Sequence, residues 1–94
     1  MGHYAAGIEH SSPFIARYHT DPKARTLVGI AVVREYFRKA LERNPNLKFL
    51  PRDITVGLES VILVYNRMTG DLAAEVFLFD GAGKVVRSIS HYGA

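Results

Sequence analysis

The chain has 94 residues and a net charge of +3, with 48% hydrophobic residues and no cysteine. One domain over residues 1–94 is therefore expected, with globular composition and neither a disulfide framework nor a thiolate metal site. The basic residues are spread along the chain and no apolar run has membrane length, so neither a nucleic acid nor a membrane is an expected partner. Without a signal-peptide pattern, we expect a cytoplasmic protein.

The first 28 residues give weak signals. Ile8–Ser12 and Phe14–Tyr18 are predicted to be short strands, and the polar stretch His19–Thr26 is predicted to be a loop because Asp21-Pro22 favours a turn. The clearest helix signal follows, over Gly29–Arg43. Its apolar stripe has three-and-four spacing and consists of Ile30, Val33, Phe37, Ala40 and Leu41. Asn44-Pro45 is expected to end the helix.

After Pro45 the apolar period changes to two, which is typical of strands. The predicted strands are Leu47–Val56 (interrupted at Pro51-Arg52-Asp53), Ser60–Arg67, Leu72–Phe79 and Val85–Tyr92. A proline inside the first of these indicates a bulge or an edge position, and Asp80–Gly83 is expected to be a hairpin loop. These patterns together predict an α+β domain with an antiparallel meander.

Strand 72–79 is apolar on both faces. Alternation places Ala73, Glu75, Phe77 and Phe79 on one face and Ala74, Val76 and Leu78 on the other. A strand of this kind needs two coverings, and a single helix supplies one. We therefore expect a partner subunit, in a homo-oligomer.

Three segments resemble the nuclear transport factor 2-like superfamily, and in particular its SnoaL-like branch. They are YAAGIEHSSPF, GIAVVREYFRKALERNPNL and AAEVFLFDGAGKVVRSISHY, which together extend from Tyr4 to Tyr92. The resemblance implies a cone: a curved antiparallel sheet wrapped around one long helix, with a pocket in its open end. It also implies dimers through the outer sheet face. The usual first helix is missing and Tyr4–Ala6 resembles the end of the second, so we expect a fragment or an opening covered by another subunit.

The segment FLFDGAGKVV is also similar to the C-terminal hairpin of bacterial ketosteroid isomerases. That resemblance places the family's oxyanion-hole aspartic acid at Glu75 and its catalytic base at Ser12, before Pro13. A serine does not shuttle protons as a carboxylate does, and the oxyanion tyrosine belongs to the missing helix. Steroid isomerisation is therefore not expected.

Glu75 and His10 are the candidate catalytic residues. The resemblance puts Glu75 in the pocket beside Phe77 and Phe79, where lost hydration raises a carboxyl pKa and favours an acid or hydrogen-bond donor. The alternative is that Glu75 pairs with an arginine or faces water. His10 shares a strand face with Ser12 and is either a base or a polar edge histidine.

The candidate ligand-binding residues are Ser12, Tyr36, Asn66, Phe77, Phe79 and Tyr92. Only the resemblance suggests Asn66, and it also places Tyr92 toward the pocket and His91 on the outer sheet surface. The four histidines lack metal-ligand spacing, so neither a metal nor a cofactor is expected. We expect a domain that binds a small hydrophobic molecule, with catalysis left open. The alternative is a protein-interaction or dimerisation module.

Overall fold

The computed structural model describes residues 3–17, 25–43, 50–67 and 69–93. In chain order these residues form β1 (Tyr4–Ser11), a 3-10 helix (Ile15–Arg17), β2 (Thr26–Val28), α1 (Ile30–Arg43), β3 (Leu50–Gly57), β4 (Ser60–Asn66), β5 (Leu72–Phe79) and β6 (Val85–Tyr92). The predicted α+β class is confirmed, and α1 is the single α-helix among the described residues. At 14 residues α1 is shorter than the roughly 20 needed to cross a bilayer, and no helix in the described ranges is a candidate span.

The strands form one sheet in the order β2-β1-β6-β5-β4-β3. The predicted meander is confirmed, because β3, β4, β5 and β6 are antiparallel neighbours in chain order. β1 pairs in parallel with β6, and β2 pairs antiparallel with β1. The register shifts between Tyr4 and Glu9, between Pro51 and Asp53, and between Leu78 and Phe79. Such irregularities bend a sheet, as the expected cone requires.

The beginning of the chain differs from its prediction. Tyr4–Ala6 belongs to β1 and does not end a helix. The strand that was predicted to begin at Ile8 therefore begins earlier, at Tyr4. A 3-10 helix occupies Ile15–Arg17, where a second strand was predicted. The turn arises because Ser12 Oγ accepts a hydrogen bond from the Phe14 amide at 3.2 Å, which diverts the backbone from an extended path. Tyr18 and the loop residues up to 24 lie outside the described residues.

Helix α1 begins beside β1. Gly29 has φ +99°, a conformation that favours glycine, and its amide donates to the Ile8 carbonyl at 2.8 Å. Val33 is fully buried and Phe37 packs against the core, which confirms most of the predicted apolar stripe. Leu41 is exposed, contrary to the prediction. The helix packs chiefly against β1 and β2, so one flank of the sheet receives most of its cover.

The core lies at that same flank. Its buried apolar residues are Ile8, Ile15, Leu27, Val33 and Val85. Counting alternate residues back from His91 would put Val85 on the outer face of β6. Val85 is nevertheless buried, because a register shift before Phe79 sets it opposite that residue. The far flank is open, since Ile54 and Val56 of β3 are 65% and 79% exposed. These two residues lie on the face that carries Glu75 and Phe77, which we call the inner face.

Candidate functional site

Strand register gathers polar side chains on the inner face. Glu75 on β5 lies opposite Leu63 on β4 and Ser90 on β6. One step along the same face, Ala73 lies opposite both Tyr65 and Tyr92. Cross-strand partners share a face and have Cβ atoms roughly 5 Å apart, so these side chains form one cluster.

The Glu75 carboxyl is the centre of this cluster. Tyr65 Oη donates to Oε1 at 3.1 Å, and Ser90 Oγ lies 2.9 Å from Oε1 and 2.8 Å from Oε2. Tyr65 and Ser90 are buried, whereas Glu75 keeps part of its surface exposed. The two hydroxyl groups therefore fix the orientation of a carboxyl group that solvent or a small molecule still reaches.

Burial controls the protonation of this site. Desolvation raises the Glu75 pKa above its ordinary value, and the hydrogen bonds from Ser90 and Tyr65 oppose that rise. The pKa values of Tyr4, Tyr65 and Tyr92 are also raised, first by burial and then by the Glu75 charge. Three phenols are thus close enough to sense the carboxylate. A carboxyl in this setting stays protonated at higher pH than an exposed one, as a proton donor requires.

His10 lies deeper on the inner face. Its Nδ1 is 2.7 Å from Ser88 Oγ, and its ring centroid is 5.0 Å from that of Phe37 and 5.5 Å from that of Tyr36. Burial lowers its pKa to about 4, so the imidazole is neutral at neutral pH. His10 is thus a core residue rather than an edge one. Among the described residues, no three His, Asp or Glu side chains group as metal ligands would.

A second aromatic group lies where β6 and β1 end. The Phe14 and Tyr92 rings are tilted by 31° with their centroids 4.2 Å apart, and the Arg67 guanidinium carbon is 5.1 Å from each centroid. Burial raises the pKa of the Tyr92 hydroxyl, and hydrogen bonding to Ser12 and Ser90 opposes that rise. Ser90 therefore connects this group to Glu75. Ser12 itself is buried.

The remaining predicted site residues lie in three places. Phe77 and Phe79 are half-buried on the inner face and pack against the core. Tyr36 lines an open groove of about 320 Å³ along α1, together with Ile15, Leu27, Ala31, Val32, Glu35 and Lys39, and this groove contains none of the Glu75 cluster. Asn66 follows Tyr65 and so lies on the opposite face, where Nδ2 donates to the Gly70 carbonyl at 3.2 Å. Glu75, Ser12 and Tyr92 thus lie near one another, whereas Asn66 lies on the opposite face of the sheet.

Sequence reasoning gave no role to Tyr65, Arg67, Ser88 or Ser90. Alternation along β6 puts both serines on the same face as Tyr92, and the structure has them opposite Phe77 and Glu75 on that face. Tyr65 carried a usable signal as well, since it falls in a strand whose alternate residues are apolar. Its contact with Glu75 depends on the register between β4 and β5, which the sequence does not specify.

Solved structures share this fold. A SnoaL-like protein of unknown function from Burkholderia thailandensis E264 is 36% identical, with a TM-score of 0.86 over 99% of this chain and 77% of that one. An NTF2-like protein of unknown function from Burkholderia pseudomallei K96243 is 14% identical, with a TM-score of 0.74 over 98% and 74% of the two chains. The epoxide hydrolase/cyclase-like enzyme SalBIII, which has a role in pyran ring formation in the polyether salinomycin, is 16% identical, with a TM-score of 0.70 over 98% and 74%. No protein-family model and no curated protein matches the sequence.

Proposed function

The chain belongs to the SnoaL-like family, and we propose that it binds a small, largely apolar molecule against the inner face of its sheet. The observation that carries this proposal is the half-buried Glu75 carboxyl, held by Tyr65 and Ser90 beside apolar side chains. A few oriented polar groups in an otherwise apolar surface are typical of small-molecule sites. The described role of SalBIII in ring formation agrees with a ligand of this kind.

The apolar part of the ligand would rest on β4 and β5. Val61, Leu63 and Phe77 are only partly buried on the inner face. Ile54 and Val56 extend the same surface on β3 and are more exposed. Covering apolar surface contributes about 25 cal/mol per Å², so an apolar molecule laid along these residues would bind favourably.

Glu75 would supply the polar contact. In its protonated form the carboxyl donates a hydrogen bond to a carbonyl or hydroxyl oxygen of the ligand, and this is the step by which a general acid acts. No ligand contact is proposed for His10, the other candidate catalytic residue, because it is buried in the core with its Nδ1 against Ser88 Oγ. Steroid isomerisation is not proposed, because Ser12 replaces the carboxylate that moves the proton and its Oγ accepts from the Phe14 amide.

A second candidate function is assembly through the outer face of the sheet. Ile62, Val76 and Ile89 form a cross-strand row on that face, and Ile62 is 37% exposed. Exposed apolar rows of this type are typical of protein contacts. Pairing two copies across this row would give a homodimer, and the chain would then be an interaction module.

Two neighbouring residues of β4 separate these functions. Leu63 lies on the inner face and Ile62 on the outer face, so Leu63→Asn and Ile62→Asn make the same kind of change on opposite sides. We would titrate each variant and the parent chain with 2-naphthol, following backbone amide shifts by NMR, and measure the mass of each by light scattering.

If the chain binds ligands on the inner face, 2-naphthol shifts amides around Leu63, Glu75 and Phe77, and Leu63→Asn weakens binding at least fivefold while Ile62→Asn does not. If it is an assembly module, the parent is a dimer that Ile62→Asn dissociates, and 2-naphthol gives no localised shifts. Shifts confined to the groove along α1 would contradict the first proposal.

A further inference from the structure

We propose that Arg67 makes this site selective for ligands that carry a carboxylate, so that the ligand class is small apolar acids. The inference rests on the proposed binding function, because it concerns the same inner face. It assigns Arg67 a binding role that depends on charge, whereas the Glu75 cluster supplies hydrogen bonds.

Arg67 is held in place by aromatic rings. Its guanidinium carbon is 5.1 Å from the centroids of both Phe14 and Tyr92. Since those centroids are 4.2 Å apart, the cation is shared between the two rings rather than stacked on one. An arginine fixed in this way loses little further conformational freedom when it binds a carboxylate.

The charge of Arg67 is only weakly compensated. Asp71 Oδ2 lies 3.7 Å from Nη1, which is longer than the 2.7–2.9 Å typical of a charge-assisted hydrogen bond. The Asp71 side chain is 61% exposed and also accepts a hydrogen bond from Thr69. Exposed pairs of this kind contribute little, so a ligand carboxylate would compete successfully for the guanidinium.

The position of Arg67 suits a ligand that spans the inner face. Leu63, Tyr65 and Arg67 alternate along one side of β4 and its continuation, which separates Leu63 from Arg67 by roughly 13 Å. The Arg67 guanidinium carbon lies 5.1 Å from the Tyr92 ring, and its positive charge opposes the rise in the pKa of Tyr65 and Tyr92. A molecule of two or three fused rings would rest on Leu63 and place its carboxylate at Arg67.

The test compares 2-naphthoate with 2-naphthamide, which have the same rings and similar shape but differ in charge. Both are titrated by calorimetry into the parent chain, Arg67→Gln, Arg67→Lys and the control Arg87→Gln, which alters an exposed arginine on the outer face. We expect the parent to prefer the acid by about tenfold. Arg67→Gln should abolish that preference, Arg67→Lys should keep part of it, and Arg87→Gln should leave it intact.

The two proposals fail in different ways. If the acid and the amide bind the parent equally well, the role of Arg67 is overturned while binding on the inner face stands. If Arg87→Gln reduces acid binding as much as Arg67→Gln does, the effect is general electrostatics and the inference is also overturned. If neither compound binds the parent chain, the proposed function falls and the inference falls with it.

Discussion

Ser90 Oγ lies within 2.9 Å of both carboxyl oxygens of Glu75. A hydroxyl group has one proton, so Ser90 can donate to only one of those oxygens at a time. The second short contact is satisfied when Glu75 is protonated and donates back to Ser90, while Tyr65 donates to Oε1. Both protonation states of Glu75 therefore have hydrogen-bond partners, as expected of a group that gives and takes a proton.

The first prediction concerns the pH dependence of Glu75→Gln. Because the folded-state pKa of Glu75 is raised, the folded chain holds this proton more tightly than the unfolded chain does. The contribution of Glu75 to stability is therefore full below its unfolded pKa and is lost as pH rises through its folded pKa. Glutamine does not titrate. We expect Glu75→Gln to gain stability relative to the parent between pH 4 and pH 8.

Urea denaturation at pH 4, 6 and 8 measures this difference in the free energy of unfolding. Glu9→Gln is the matched control, because it makes the same chemical change at an exposed strand position. If Glu75→Gln raises the free energy of unfolding most at pH 4, then folding stabilises the carboxylate and lowers the Glu75 pKa, which contradicts the prediction.

His10 should give the opposite pH trend. Its folded-state pKa of about 4 lies below its ordinary 6.5, so the unfolded chain binds this proton more readily. The stability it contributes is full above pH 6.5 and is lost as pH falls toward 4, by at most about 3 kcal/mol. We expect His10→Gln to flatten that part of the stability profile, measured by urea denaturation.

The free energy of unfolding of the parent chain could stay constant between pH 6.5 and 4 even if His10 behaves as expected. The reason is that Glu75 contributes a pH dependence of the opposite sign. The double variant His10→Gln, Glu75→Gln separates the two groups. If His10→Gln does not alter the slope on the Glu75→Gln background either, the imidazole is not held neutral by folding.

Much of the fold was predictable because its strands carry local signals. β5 and β6 have the predicted bounds, since turn residues precede β5 and the hairpin loop between the two strands is glycine-rich. The start of β1 was predicted wrongly because the family resemblance suggested the end of a helix at Tyr4–Ala6, and alanine and glycine give no periodicity that would indicate a strand. That segment becomes a strand by pairing with β6, about 80 residues away in sequence, and such distant pairing overrides local propensity.

The candidate site was predictable only in part. Glu75 was identified because the resemblance to ketosteroid isomerases places it at the oxyanion-hole position, on a strand face shared with Phe77 and Phe79. Its partners Tyr65 and Ser90 depend on the register of β4 and β6 against β5, and a shift of one residue would reverse every face. Asn66 shows the same limit: it lies next to Tyr65 in sequence and on the other side of the sheet.

Tyr65→Phe should remove one of the hydrogen bonds that orient the Glu75 carboxyl. The substitution removes a donor to the charged form of the carboxyl, so the Glu75 pKa should rise further. We expect a loss of about 1 kcal/mol in the free energy of unfolding at pH 8, a typical value for one hydrogen bond. Carbon-detected NMR titration of the Glu75 carboxyl measures the pKa shift directly.

A double-mutant cycle with Glu75→Gln identifies the origin of that loss. The cycle should give a coupling free energy that is larger at pH 8 than at pH 4, because the hydrogen bond is stronger to the carboxylate than to the acid. A loss that is equal in the parent and Glu75→Gln backgrounds would mean that Tyr65 acts through packing alone.

The last prediction compares two glycines near the core. Gly29 has φ +99° and Gly7 has no such conformation, while a Cβ added at either position meets nothing within 4 Å. The comparison therefore isolates backbone strain from steric contact. Gly29→Ala should lower the free energy of unfolding by about 1–3 kcal/mol, whereas Gly7→Ala in strand β1 should be neutral or slightly stabilising. Thermal melts would show this as a Tm lower by about 4 °C or more for Gly29→Ala.

Because the Gly29 amide connects the start of α1 to the Ile8 carbonyl, the same variant should also disturb the ring contact between His10 and Phe37. NMR would detect this as shifted His10 resonances. Equal effects of the two substitutions would contradict the role of the Gly29 conformation in placing the helix.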